Sequence, residues 1–272
     1  MTALIDDTQT NLTLADRTDS AMDRRDFLKM AVAVGGSALA LHQLPAMAQM
    51  PFKKGDAQKA CEKKPLDPTT VYQVTSTITE KPFANLSTVE GISPKQLEAH
   101  LALYKGYVSK INDITGKIKE PGAMDNPRLF RALHIDQSFA LNGALLHQLY
   151  FENMGGGKSA PSDFLKQIIT MEFGSWEAYL AHVRALGQQF RGWVITGYNM
   201  LDHRIHNYGL DSHNEYYPAY VMPILALDVY EHAYMIDFGT KRDPYLDAFL
   251  ANVNWAVAED RLTTIMHHCC KK

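Results

Sequence analysis

Asp228 and His232 stand four residues apart in Asp228-Val229-Tyr230-Glu231-His232-Ala233-Tyr234, directly after the apolar run Val221 to Leu227. A helical turn at that point aims the carboxylate and the imidazole the same way. Imidazole nitrogen with carboxylate oxygen suits iron, manganese or zinc. Taken alone the pair also fits a helix-start aspartate and an ordinary core histidine. Two further histidines weigh against that plainer reading. Leu97, His100, Leu101, Tyr104, Tyr107, Val108 and Ile111 recur at helical spacing, so His100 lies on an apolar helix face. His147 shares a face with Ala140, Gly143, Tyr150 and Phe151 by the 3.6-residue period. Burying three imidazoles and a carboxylate is costly unless a metal or other partners compensate. Three His and one Asp also leave room for a solvent molecule, the mark of a catalytic site rather than a closed structural one.

These four positions need elements to hold them. Ser93-Pro94 is a good helix start, because serine caps and proline is favoured at the first helical position. That helix reaches Gly116, and Pro121-Gly122 closes the region. A second helix is expected from about Asp136 to Met154, stopped by Gly155-Gly156-Gly157. Two long helices with a modest connection predict an antiparallel hairpin. Short helices follow over about 161–171 and 175–190. Gly192 to Tyr198 is rich in strand formers, Asp202 begins a turn, and Arg204 to Tyr208 returns antiparallel. Val221 to Leu227 is the third strand, and a single last helix is expected from about Asp243 to Ile265. The fold class is therefore α+β: an N-terminal antiparallel helical hairpin, then a small three-stranded antiparallel sheet packed with helices.

The chain has 272 residues, and its net charge of −3 implies no general attraction to nucleic acid or anionic membrane. Residues 1–48 do not read as fold. Asp23-Arg24-Arg25-Asp26-Phe27-Leu28-Lys29 resembles a twin-arginine export motif. The apolar stretch Met30 to Leu41 is too short for a stable membrane span, so no stable membrane insertion is expected. Ala46-Met47-Ala48 offers small residues to a signal peptidase. The expectation is a signal peptide over 1–48, cleaved near Ala48, with the twin-arginine export machinery as a partner and a periplasmic or otherwise exported product. Its removal takes away four basic and six acidic residues and brings the net charge to −1. Residues 49–82 read as an extended arm, 83–157 as the hairpin domain and 158–272 as the C-terminal α/β domain. The three cysteines, Cys61, Cys269 and Cys270, lie at the ends of the mature chain. An oxidising compartment permits a bridge between Cys61 and either of the others. His267-His268-Cys269-Cys270 reads as a frayed tail, with a soft metal site as the alternative.

The whole pattern resembles the iron/manganese superoxide dismutases. Asp228–Tyr234 is similar to that family's signature Asp-x-Trp-Glu-His-Ala-Tyr, with Tyr230 in place of tryptophan. Ile92 to His100 looks like its first ligand helix and Phe139 to His147 like its second. Phe173-Gly174-Ser175, Gly192-Trp193 and Val253-Asn254-Trp255 add similar words, and the likeness spans about residues 83–262.

The resemblance implies a superoxide dismutase with one Fe or Mn per subunit on His100, His147, Asp228 and His232. A non-catalytic sensor or carrier of the same fold is the other reading. It implies a homodimer or homotetramer, with Glu231 reaching the partner's ligand histidine. The family's active-site tyrosine follows the first ligand by eight residues. Val108 holds that spacing here, so Tyr107 is the expected equivalent, with Tyr104 lining the access funnel. Arg242 corresponds to a basic residue near the mouth and is expected to steer the anion, with Lys105 a weaker candidate. The iron type places a glutamine four residues before the second ligand, where this chain has Gly143. The manganese type supplies it from the sheet, where Tyr208 to Asn214 contains none and Asp211 or His213 stands available.

Overall fold

In the computed structural model, residues 77–156 and 159–269 are described; the expected leader, Cys61 and Cys270 lie outside them. Helix α1 spans Pro94–Ile118 and begins as its sequence dictates: the Ser93 hydroxyl accepts from the Gln96 amide, and Pro94 occupies the first turn. Helix α2 spans Pro127–Glu152, with Asn126 capping the Leu129 amide and Pro127 in its first turn. It therefore starts well before the expected Asp136. The Asn126-Pro127 start is the same cap-then-proline signal as Ser93-Pro94, but apolar residues that stay exposed, Leu129 and Ile135 among them, blur the helical period. The second ligand helix thus starts more than two turns earlier, on residues that are mostly exposed. Tyr107 of α1 meets Phe139 and the Gly143 region of α2, while His100 meets His147, so the two helices run antiparallel.

Helices α3 (Asp163–Phe173) and α4 (Trp176–Gln189) follow, capped by Ser162 and Ser175 and divided by Gly174 at φ 84°. The sheet comprises β1 (Trp193–Asn199), β2 (Arg204–Leu210) and β3 (Val221–Asp228), all antiparallel in the order β2-β1-β3. Central β1 is buried almost throughout, as its β-branched and aromatic run requires. Its register pairs Trp193 with Asp228 and with Leu210, so one end of the sheet holds the aspartate that ends β3.

A short α5 (Met235–Phe238) leads to α6 (Arg242–Ala251) and α7 (Trp255–Cys269). The single last helix expected from Asp243 to Ile265 is thus two. The break has a physical cause in the intervening asparagines. Asn252 donates its amide to the Ala248 and Glu90 carbonyls, and the Asn254 amide bonds the Asn153 carbonyl at 2.7 Å. Val253 forms a β-bridge with Met154 just past the end of α2. Asparagine competes for backbone groups in this way wherever a helix can be left.

Helices and sheet share one core, in which Tyr104, Tyr150, Phe151, Trp193, Tyr245 and Phe249 are fully buried. At its edge Glu152 receives both Lys81 and Arg261, each at 2.7 Å. That bridge ties the incoming chain and α7 to the end of α2. The stretch before Ala84 also lies along α1, where Ile78 exchanges two hydrogen bonds with the Asn112 side chain. Among the described residues, no helix is long and apolar enough to cross a membrane.

Candidate metal centre

Four side chains from four stretches of chain converge. His100 comes from α1, His147 from α2, Asp228 from the end of β3, and His232 from the 3-10 turn Glu231–Ala233. One ligand atom from each lies within 4.8 Å of all the others. The Asp228 Oδ2 oxygen sits at the middle, 2.9 Å from His100 Nε2, 3.0 Å from His232 Nε2 and 3.4 Å from His147 Nε2. The Tyr230 amide donates to the other oxygen of Asp228 at 2.9 Å, which makes the tight turn that brings His232 back. The expected pairing of Asp228 and His232 on one side of a turn is therefore what forms.

Electrostatics suit a cation. His100, His147 and Asp228 have no exposed side-chain surface, whereas His232 is 23% exposed. Burial lowers the pKa of His147 well below the imidazole range, and lowers His100 despite its bond to Asp228. For Asp228, burial by itself raises the carboxyl pKa, but the His232 and His100 imidazoles outweigh it and hold the group ionised. His232 shows the opposite balance: burial lowers it, and the Asp228 carboxylate more than restores it. The His147 Nδ1 atom donates to the Gly143 carbonyl at 2.6 Å, because a carbonyl only accepts. Nε2 then presents its lone pair to the centre, the state that metal ligation requires. Two neutral buried imidazoles, a third histidine and an ionised carboxylate fit a divalent or trivalent iron or manganese ion.

Comparison with known proteins decides the family. Residues 161–261 match the family model described as iron/manganese superoxide dismutases, C-terminal domain. A superoxide dismutase (Fe) of Aquifex pyrophilus is 39% identical over 186 residues, covering 65% of this chain and 87% of that protein. The chain belongs to the iron/manganese superoxide dismutase family. A superoxide dismutase (Fe) of Cupriavidus metallidurans is 35% identical, over 63% of this chain and 88% of its own length. A superoxide dismutase (Mn) 1 of Halobacterium salinarum is 31% identical, over 60% and 82% respectively. Iron and manganese members therefore both appear among its relatives.

Around the four histidine and aspartate side chains, the dismutase fold of this chain shows features that its sequence left open. His213 is almost fully buried, accepts from Trp193 Nε1 at 2.9 Å and meets Tyr107 Oη at 2.8 Å. Of the two residues available in place of the family's glutamine, it is His213 that reaches the site, and burial pushes its pKa down to about 4. Asp211 instead bonds the Arg191 amide. Tyr107, not Val108, faces the centre, with its ring stacked on His147 at 5.2 Å. Tyr230 stacks on His232 at 5.0 Å, so tyrosine does the covering that the family's tryptophan would do.

One expectation is corrected. Tyr104 has no exposed surface; its hydroxyl accepts from the Lys81 amide at 3.0 Å, so it holds the incoming chain and lines no funnel. The Arg242 guanidinium is bonded to the carbonyls of Gly187 at 2.9 Å and Phe190 at 2.7 Å, and lies over the Tyr234 ring. It ties the end of α4 to the ligand loop, and bonds to neutral carbonyls leave its charge in place. Glu231 is exposed on the turn, next to His232.

Two positioning residues were missed. Gln96 is fully buried; its amide donates to the His232 carbonyl at 2.6 Å and its oxygen accepts from the Ile236 amide at 3.0 Å. The Tyr245 hydroxyl donates to the Asp228 carbonyl at 2.5 Å. A polar Gln96 on the apolar side of Leu97 and His100 was the one visible signal.

Proposed function

We infer that this chain disproportionates superoxide to dioxygen and hydrogen peroxide at one iron or manganese ion held by His100, His147, Asp228 and His232. The activity is that of a superoxide dismutase. The observation that supports the ligand set is the convergence of three histidine nitrogens on the buried Asp228 carboxylate, all four within 4.8 Å. When bound, the ion supplies a one-electron couple between its 3+ and 2+ states, enough to oxidise one superoxide and reduce the next.

The residues of the chain manage protons and placement. Trp193 Nε1 can only donate, so His213 Nδ1 must accept and the neutral ring carries its proton on Nε2. That Nε2–H donates to Tyr107 Oη, leaving the Tyr107 hydroxyl hydrogen available to the reactant side. Burial and the Asp228 charge both raise the Tyr107 pKa, so the phenol stays protonated and can donate. Gln96 and Tyr245 hold the backbone of the two C-terminal ligands, which fixes where their side chains point. Metal analysis of purified protein with a superoxide assay tests this reading. Asp228→Ala is expected to lose metal and dismutation together; full metal content in that variant would overturn the ligand set.

Two further features belong to the same proposal. The chain works as a homodimer, with Glu231 reaching the ligand histidine of a second copy. Its support is the match to the family signature and the exposed position of Glu231 beside the partly exposed His232. A Glu231→Ala protein is expected to dissociate in light scattering and to lose metal; an intact, fully loaded dimer would count against it. The chain is also exported to the periplasm by the twin-arginine route. Arg24-Arg25, the apolar run and Ala46-Met47-Ala48 support this. Replacing both arginines by lysine is expected to leave the protein in the cytoplasm.

A further inference from the structure

The two ligand histidines on the helical hairpin are held by different means. His147 Nδ1 donates to the Gly143 carbonyl at 2.6 Å, so a hydrogen bond fixes how that ring is turned. His100 has no such anchor. Its Nε2 meets Asp228 Oδ2 at 2.9 Å, while its buried Nδ1 finds no hydrogen-bond partner among the described residues. When Nε2 gives its lone pair to an ion, the neutral ring carries its proton on Nδ1, and that N–H has no acceptor. The orientation of the ring must then come from packing.

That packing is aromatic. The ring centroids of Tyr150 and Phe151 both lie 4.9 Å from that of His100, with the planes inclined at 45° and 62°. Tyr150 is fixed from the C-terminal half of the chain: it stacks on Phe249 at 5.4 Å, and its hydroxyl meets that of Tyr245 at 3.2 Å. Phe151 is fixed by a residue that precedes α1. Phe83 packs on it at 5.2 Å and on Tyr104 edge-on at 5.4 Å, and Tyr104 meets Phe151 in turn at 6.2 Å. The three rings close a triangle. Tyr104 and Phe151 have no exposed surface, whereas Phe83 is partly buried and forms the outer corner. The chain on either side of Phe83 is pinned to the same two helices. The Lys81 amide donates to Tyr104 Oη at 3.0 Å, and Asn85 Nδ2 donates to the Phe151 carbonyl at 2.7 Å.

We propose that Phe83 is a positioning residue for the metal ligand His100, acting through Phe151: its ring closes the aromatic wall that does for His100 what the Gly143 carbonyl does for His147. The proposal rests on the ligand set given above. A close-packed interior transmits such a change, because its rings have little free space in which to absorb it. Loss of the Phe83 ring opens room behind Phe151, lets the His100 imidazole turn, and loosens the hold on the ion.

The experiment uses the iron-loaded full chain as wild type, Phe83→Ala, Phe83→Tyr and Asn112→Ala. Two readouts stand beside dismutation: the electron paramagnetic resonance of the ferric ion, which reports ligand geometry, and the rate of iron loss to EDTA. Phe83→Ala is expected to shift the ferric signal and to speed iron loss by about tenfold, the lower end of what a lost ligand support costs. Phe83→Tyr keeps the ring, with its hydroxyl at the outer corner, and restores both. Asn112→Ala removes the two bonds to Ile78 in the same incoming stretch and leaves the ring triangle intact. It is expected to lower the thermal unfolding midpoint and to keep the wild-type ferric signal. A wild-type signal and wild-type iron loss in Phe83→Ala would overturn the proposal. So would an equal shift in Asn112→Ala, which would make the effect one of general loosening. If wild-type protein takes up no iron, the ligand set fails; the imidazole nitrogen resonances of the metal-free protein then decide whether the His100 ring turns more freely in Phe83→Ala.

Discussion

The ring of Tyr107 fills the space that Gly143 leaves: a Cβ on residue 143 would come within 2.7 Å of Tyr107 Cδ1. This relationship joins the two ligand helices and explains a position that the sequence left puzzling. Where the iron type carries a glutamine, this chain needs no side chain at all, because an aromatic ring from α1 occupies the volume and hands the hydrogen bonding to His213.

Gly143→Ala therefore has two opposed effects. Alanine favours a helix interior by about 1 kcal/mol over glycine, whereas overpacking typically costs about 1–3 kcal/mol. The ring belongs to a fixed stack on His147, so the clash is expected to win. Thermal unfolding should show a lower midpoint, and the dismutation rate should fall as Tyr107 moves off His213. Unchanged unfolding and unchanged rate would show that the ring yields freely.

His213 has two bonds to replace. In His213→Gln the side-chain oxygen can accept from Trp193 and its amide can donate to Tyr107, so stability should be nearly retained. His213→Ala strands the buried Trp193 N–H, at a cost of about 1–3 kcal/mol. Urea unfolding of the pair is expected to separate them by about that amount, with alanine the weaker. Equal midpoints would mean that the Trp193 bond adds nothing.

Arg242→Met keeps much of the side-chain volume and removes the donors to Gly187 and Phe190. Freed carbonyls at the end of α4 and a looser Tyr234 should lower stability by about 1–3 kcal/mol. The guanidinium stays charged against neutral carbonyls, so its loss should also flatten the salt dependence of the rate. An unchanged slope would show that Arg242 does not steer the anion.

Glu152 carries a pH dependence of stability. Burial raises its pKa, but the bonds to Lys81 and Arg261 outweigh this and hold it below the usual carboxylate range. A depressed folded pKa contributes stability that is fully present above the unfolded value, about 4.3. That stability is lost as pH falls through the folded value. Glu152→Gln should thus be less stable than wild type at neutral pH, with the gap narrowing in acid. Denaturant midpoints measured from neutral to acid pH check the sign; a gap that widens in acid would refute it.

The four metal-binding positions were legible because each obeys a local rule. His100 and His147 follow helical periodicity, and Asp228 and His232 share one turn after a strand. The strands were legible through their apolar β-forming runs. The start of α2 was not, since its exposed first turns bury too little to show a period. The gap between α6 and α7 was hidden because Asn252 and Asn254 act through Glu90 and Asn153, partners that are distant in sequence. The same reason concealed His213, Gln96 and Tyr245, whose roles exist only once the sheet end meets α1. The charge of Arg242 was visible, but not its direction, which depends on where α4 ends.

His100 and Asp228 touch across 128 residues of sequence. At ribosomal speeds of roughly 5–20 residues per second, roughly 6–26 s separate the emergence of the two. For the last part of that interval, roughly 4–16 s after His147 has followed, the chain holds two of the imidazoles and no Asp228 carboxylate, a nitrogen pair that copper or zinc would favour over iron or manganese. The timing of translation thus becomes part of the metal chemistry: the hard oxygen donor comes late, and a cell that keeps copper and zinc scarce around its ribosomes protects the site before it exists.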